Sequence, residues 1–152
     1  MKLIFLLPNK PLLPQGVMNY REMDTKDLIS LNGNHWRKIL TIIAKLTTFP
    51  SEDWRIVRDN KLWDRAKLVF NAQHLASELN ESEAKIGAWV FIVGKTFNDD
   101  FPIPENAKVL GEAHVAKAEG NLIWSPYLDY RQFPNDLIDE IVQHLRVHTV
   151  LC

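Results

Sequence analysis

Two continuous apolar runs constrain the fold more than any other feature of this 152-residue chain. They are Leu3–Leu7 and Trp89–Val93, and each has the length of a strand. A strand that is apolar on both faces is typical of the interior of a parallel sheet, where helices cover both sides. The sequence therefore predicts an α/β fold in which these two segments are central strands.

Two shorter strands are predicted in the second half of the chain. Asn121–Trp124 follows the turn residue Gly120, and Lys108–Gly111 is the fourth candidate. Trp54–Val57 is ambiguous between strand and helix. The sheet is therefore expected to have about four strands, most of them parallel.

Helical patterns lie between and after the strands. One helix is expected to begin with Asn34 as its cap, a second to span Asp64–Leu79 and stop at Gly87, and a third to begin near Pro134. Alternating strands and helices are typical of an α/β architecture. The prediction is one domain, residues 1–152, with three layers (α/β/α) around a mostly parallel central sheet.

The charge balance excludes a strong global attraction to polyanions. The chain has 18 basic and 19 acidic residues and a formal net charge of −1. A local basic face remains open, and the first long helix carries one, with Arg37, Lys38 and Lys45 on the side opposite its apolar stripe. Arg37 and Lys38 are candidate phosphate contacts, with a simple solvated face as the alternative.

Cysteine usage and hydropathy indicate a cytoplasmic protein. The single Cys152 is the last residue, so no disulfide framework is expected. The apolar core of the N-terminal segment, Leu3–Leu7, is too short for a signal peptide, and no run approaches the roughly 18 apolar residues of a membrane helix. No membrane partner is expected.

The spacing of the histidines does not predict a metal site, and no cofactor is expected. His144 and His148 have the i, i+4 spacing of two ligands, but no third ligand is recognisable in the sequence. His35 is open between a capping or surface role and a catalytic one. His114 lies in a loop-rich segment that could approach a crevice, with a structural or solvated role as the alternative.

Three loops are expected to form one site. Pro8–Lys10, Gly94–Thr96 and Ser125–Tyr127 each follow a predicted strand. In open α/β sheets, ligands bind in the crevice beyond the carboxyl ends of the strands. The third loop is rich in aromatic residues, which a plain turn does not need. This crevice is therefore the candidate ligand site.

The third loop also carries a family resemblance. Ser125-Pro126, Tyr130-Arg131 and Phe133 form the pattern S-P-x-x-x-Y-R-x-F, which resembles the H-P-S-P-L-S-x-x-R-G-F loop of uracil-DNA glycosylases. "WVFIVGKTF" looks like the strand that precedes this loop in the family, and "NHWRKIL" is similar to a helix of its mismatch-specific branch. "LLPNKP" stands where the family has its first-strand motif. The resemblance implies a uracil-DNA glycosylase-like fold.

The chain departs from the family at the residues that catalyse excision. Ile123 and Trp124 stand where the family has His-Pro, so a donor worth about 3 kcal/mol in the transition state is missing. Asn9 is the nearest counterpart of the family's water-positioning acid, and an amide can orient water but cannot take its proton. Asn71 looks like the family's base-reading Asn, which follows a strand, but here it lies in a predicted helix.

The resemblance implies a protein that binds a nucleobase, a nucleotide or single-stranded DNA, with weak or no glycosylase activity; if it is an enzyme, it is an N-glycosidic hydrolase. The alternative is a non-enzymatic protein–protein interaction module or homodimer that uses the loop Ser125–Arg131 and the segment Phe97–Asn106. The candidate residues are Asn9 and His114 for catalysis, Thr96, Phe97, Trp124, Ser125, Tyr127, Tyr130 and Arg131 for substrate binding, and Arg37 and Lys38 for phosphate contact.

Overall fold

One mixed sheet organises the part of the chain that a computed structural model describes, residues 2–80 and 88–150. The strands are β1 (Leu3–Leu6), β2 (Ala66–Val69), β3 (Trp89–Val93), β4 (Lys108–Leu110), β5 (Ala116–Glu119) and β6 (Leu122–Ser125). The predicted helix stop at Gly87 and the lone Cys152 lie outside the described residues.

The sheet has the order β2-β1-β3-β6-β5-β4. The first four strands of this order are parallel, whereas β5 pairs antiparallel with both β6 and β4. The predicted α/β class and mostly parallel sheet are confirmed. The expected number of about four strands is too low, because an antiparallel hairpin extends the four parallel strands to six.

Six α-helices and one short 3-10 helix (Tyr20–Glu22) lie in the described residues. The α-helices are α1 (Thr25–Asn32), α2 (Asn34–Thr47), α3 (Trp54–Asn60), α4 (Leu62–Arg65), α5 (Ala72–Asn80) and α6 (Asn135–Val150). None of these described helices is both long enough and apolar enough to cross a membrane.

Both faces of the sheet are buried, as the apolar runs predict. Along β1, Leu3 and Phe5 join a core cluster with residues of α1, α2 and α6, while Ile4 and Leu6 join a second cluster with Leu75 of α5. The alternation follows from the two-residue period of a strand. Helices therefore flank the sheet on both sides.

The segment Asp64–Leu79 is not one helix, contrary to the prediction. The chain leaves α4 at Arg65, forms the edge strand β2, and enters α5 at Ala72. β2 is short, and the ammonium group of Lys67 in this strand pairs with Glu78 at 2.6 Å instead of facing the core. The apolar residues of the segment therefore have a spacing similar to that of one helix. In the structure, Asn71 follows a strand and precedes a helix.

The structure also defines three local features of the helices. Gly33, not Asn34, caps α2, and its φ of 79° suits glycine. Trp54–Val57 is helical, within α3. Thr41 of α2 is buried, with its hydroxyl accepting a hydrogen bond from Arg58 at 3.0 Å, so this side of α2 is covered by α3 at that point.

Candidate functional site

A cavity of about 590 Å³ lies beyond the carboxyl ends of the parallel strands. The three predicted loops all line it: Pro8 from the first, Gly94 and Thr96 from the second, and Ser125 and Tyr127 from the third. The Gly94 amide donates to the Ser125 carbonyl at 2.9 Å, which ties the second loop to the third. The volume lies within the range of small-molecule pockets.

A polar cluster surrounds the hydroxyl of Tyr127, and its two other members, Asn9 and His35, lie behind this ring and are not part of the cavity wall. Asn9 Nδ2 donates to this hydroxyl at 3.3 Å, and His35 Nε2 lies 2.6 Å from it. The rings of His35 and Tyr127 stack at 5.6 Å with an interplanar angle of 19°. Because the hydroxyl already accepts from Asn9, it is well placed to donate to an unprotonated His35 Nε2. The cluster thus fixes the orientation of the phenol.

Sequence reasoning left His35 open, and the structure brings it to the site. His35 is the second residue of α2, the long helix of the segment that connects β1 and β2. A helix that follows a parallel strand begins at the carboxyl edge of the sheet, which is where ligands bind in this class of fold. Because α1 lies between β1 and α2, this rule alone does not assign the start of α2 to that edge, and the sequence contains no other signal for His35.

Two of the predicted stacking rings are largely enclosed. Phe97 is 9% exposed and packs in the second core cluster, and it does not line the cavity. Trp124 lines the cavity but is only 5% exposed, and its Nε1 donates to the Phe101 carbonyl at 2.8 Å. Tyr127 is therefore the more accessible ring at this site.

The cavity wall does not include four of the predicted contact residues: Tyr130, Arg131, Arg37 and Lys38. Tyr130 is 43% exposed, with the Lys38 ammonium 5.9 Å from its ring centroid. Lys38 also pairs with Asp129 at 3.6 Å. The Arg131 amide donates to Asp129, and this hydrogen bond, with Lys38 nearby, holds the pKa of that carboxyl below its ordinary value. Arg37 is exposed on α2.

His114 lines a different cavity, of about 440 Å³, at the beginning of α6. Its neighbours there include the carboxylates of Glu112, Asp136 and Glu140. The hairpin of β4 and β5 carries His114 to this place, away from the cluster around Tyr127. The geometry therefore does not bring His114 together with Asn9, the other candidate catalytic residue.

Sequence reasoning also missed residues that line the large cavity. Lys117 belongs to β5, a strand that was not predicted, and Gln132 lies beyond the Tyr127 turn. Asn98 lines the cavity as well, and its buried Oδ1 has no hydrogen-bond partner among the described residues. A buried acceptor of this kind is unusual in a folded protein.

The two helical histidines pack against each other in the fold. The rings of His144 and His148 lie 4.1 Å apart, and Trp89 contacts both. Burial lowers the pKa of His144 below its ordinary value, and the electrostatic effects of His148 and Lys108 lower it further. No group of three or more His, Cys, Asp or Glu side chains that could hold a metal occurs within residues 2–80 and 88–150.

Fold and cavity together define a mixed α/β protein with a pocket of small-molecule size at the carboxyl ends of its parallel strands. Within that class, the chain belongs to DUF6942, a family of unknown function, whose model matches residues 1–146. Neither a curated protein nor a solved structure matches the chain. Its function is therefore argued from the cavity itself.

Proposed function

We propose that this is a uracil-DNA glycosylase-like protein that binds a nucleobase, a nucleotide or single-stranded DNA, with weak or no glycosylase activity. The observation that carries the proposal is the cavity of about 590 Å³ in which the three loops meet. Its wall combines the ring of Tyr127 with the neutral polar side chains of Thr96 and Gln132. Bases are held by stacking on rings and by hydrogen bonds to their polar edges, which such a wall can supply.

Weak hydrolysis follows from the orientation of β6. Ile123 is 0% exposed and belongs to the first core cluster, whereas Trp124 faces the cavity on the other side of the sheet. By the resemblance, Ile123 stands where uracil-DNA glycosylases have a donor histidine. This position therefore offers no donor to a departing base. Asn9 has only an amide, which orients water without taking its proton.

Asn71 adds limited support for base recognition. It follows β2 at the carboxyl edge of the sheet, as the base-reading Asn of uracil-DNA glycosylases follows its strand. However, its Oδ1 accepts from the His74 amide at 2.6 Å and so caps α5. We therefore do not include Asn71 in the proposed binding site.

Matched tyrosine variants test the proposal by calorimetric titration with uridine and adenosine. Tyr127→Phe removes the hydroxyl at the cavity, so binding is expected to weaken about three- to tenfold with little change in stability. Tyr20→Phe is the control: its hydroxyl accepts from the Leu68 amide at 2.7 Å in the core. The loss of that partner should lower the unfolding free energy by about 1–3 kcal/mol and leave binding unchanged. Binding that is absent, or that Tyr20→Phe weakens as much, would contradict the proposal.

The interaction-module alternative has less support. In the segment Phe97–Asn106 the rings turn inward: Phe97 lies in the second core cluster and Phe101 packs against it, whereas Tyr130 of the loop is 43% exposed. Exposed aromatic surface is what such a module would need for a hot spot. A dimer that is insensitive to salt in sedimentation experiments, with no nucleoside binding, would favour this alternative.

A further inference from the structure

Charge is segregated inside the large cavity. Lys95 and Lys117 line it, and no Asp or Glu does so among the described residues of its wall. The whole chain has slightly more acidic than basic residues, 19 against 18. The second cavity has the opposite character, with Glu112, Asp136 and Glu140 in its wall. The absence of carboxylates from the large cavity is therefore a local feature.

Lys95 and Lys117 lie beside two neighbouring residues of β6, Trp124 and Ser125. Lys117 of β5 stands directly opposite Trp124 of β6, and residues opposite each other in an antiparallel pair project to the same face. Lys95 follows Gly94, whose amide donates to the carbonyl of Ser125, the residue after Trp124. Both lysines thus belong to the wall around the end of β6.

Lys117 lacks a partner that comparable lysines have. Among the described residues, Lys38, Lys45, Lys67 and Lys117 are half-buried. Lys67 pairs with Glu78 at 2.6 Å, Lys38 with Asp129 at 3.6 Å, and Lys45 donates to Asn135 at 3.0 Å. The ammonium groups of Lys117 and of the exposed Lys95 have no ion pair or hydrogen bond within residues 2–80 and 88–150.

A half-buried lysine whose ammonium group has no counter-charge is less favourable than a paired one, and an anion in the cavity would supply that counter-charge. Two lysines suit a phosphate monoester, which carries about −1.5 to −2 charges at pH 7, better than a single carboxylate. The exposed hydroxyl of Thr96, the residue after Lys95, adds a neutral donor to the same wall.

We propose that the ligand of this cavity is a nucleoside monophosphate, with its phosphate paired to Lys95 and Lys117 and its base against Tyr127. The inference rests on the proposed function for the base, while the phosphate is inferred from the lysines alone. The proposed function leaves open whether the ligand is a free base, a nucleotide or a DNA strand. This inference specifies a ligand with a charged phosphate group.

Calorimetric titration of the full chain tests this inference. The probes are dUMP and dAMP, the corresponding deoxynucleosides, inorganic phosphate and a twelve-residue oligothymidylate. The variants are Lys95→Gln and Lys117→Gln, and the control is Lys108→Gln, an exposed lysine of β4 outside the cavity wall. We expect a monophosphate to bind at least about tenfold more tightly than its nucleoside, and each cavity variant to remove about tenfold of that affinity. Lys108→Gln should change nothing, and circular dichroism verifies that every variant is folded.

The probes separate the failure of this inference from that of the proposed function. Nucleosides that bind as tightly as their monophosphates, with no effect of the lysine variants, overturn the phosphate subsite and leave the proposed function standing. Lysine-dependent binding of inorganic phosphate without any contribution from a base supports the subsite and overturns the nucleobase proposal. Tighter lysine-dependent binding of the oligothymidylate assigns the phosphate to a strand and overturns the free nucleotide. Absence of all binding overturns both proposals.

Discussion

At the scale of single residues, Glu52 joins the α2–α3 connection to the start of β2. Its carboxylate accepts two hydrogen bonds from Arg65, both at 2.7 Å, and one from the Phe49 amide at 2.9 Å. Lys61 lies 3.6 Å away. The Arg65 hydrogen bonds, followed by the one from Phe49, lower the pKa of Glu52 from 4.5 to about 2. A paired arginine and carboxylate of this geometry is stronger than a simple surface contact.

The shifted pKa of Glu52 predicts a defined pH dependence of stability. A carboxyl whose pKa is lowered on folding stabilises the fold above its unfolded pKa, 4.5 here, and loses that contribution as the pH falls towards about 2. We therefore expect Glu52→Gln to lower the melting temperature at pH 7, and the difference from the unsubstituted protein to shrink between pH 4.5 and pH 2. Thermal unfolding of both proteins over this range measures it. A difference that stays constant with pH would show that the charge of Glu52 is not what stabilises the connection.

At the scale of elements, the approach of the β4–β5 hairpin to α6 depends on Gly111. Its φ is +90°, and a Cβ there would overlap the His114 carbonyl oxygen and lie 2.9 Å from Leu137 of α6. We expect Gly111→Ala to cost about 2–5 kcal/mol of unfolding free energy, the sum of backbone strain and overpacking. Gly120→Ala is the control, because Gly120 has a φ of +58° but no atom within 4 Å of an added Cβ. It should cost only about 1–2 kcal/mol. Equal costs in chemical denaturation would refute this account of the packing.

The elements that sequence reasoning recovered are those whose own residues determine them. β1 and β3 are apolar on both faces, and α6 begins one residue after Pro134. β5 was missed because Ala116–Glu119 reads "AKAE", residues with poor strand propensity. It is a strand because it pairs with β6 and β4, and the residues of β5 alone do not determine this pairing.

The same distinction applies to the candidate site. The convergence of the three loops followed from strand order and the carboxyl-edge rule. His35 and Lys117 could not be found in that way, because each reaches the site from an element whose placement depends on tertiary packing. Tyr130 and Arg131 belong to the predicted loop but lie outside the cavity wall, whereas Gln132, the next residue, lines it.

At the scale of the whole molecule, the two faces of the sheet separate Ile123 from the cavity along β6. Ile123 lies in the core cluster formed with α2 and α6, whereas Trp124, on the opposite face, lines the cavity. A one-residue shift in register would exchange these faces and would bury the cavity wall. The pairing of β6 with β3 and β5 fixes the register, so no simple substitution brings residue 123 to the cavity.

The protein is therefore not expected to excise uracil efficiently. Excision needs a donor for the base and a group that prepares water; the missing donor costs about 100- to 1000-fold in rate and the missing base about 100-fold or more. Incubation with a uracil-containing oligonucleotide, followed by alkaline cleavage at abasic sites, measures the activity. Multiple turnovers would overturn the prediction and call for His35→Ala and His114→Ala variants. His35 contacts Tyr127 at the cavity, whereas His114 lines a separate one, so loss of that activity on His35→Ala alone would identify the cluster around Tyr127 as the source of the donor.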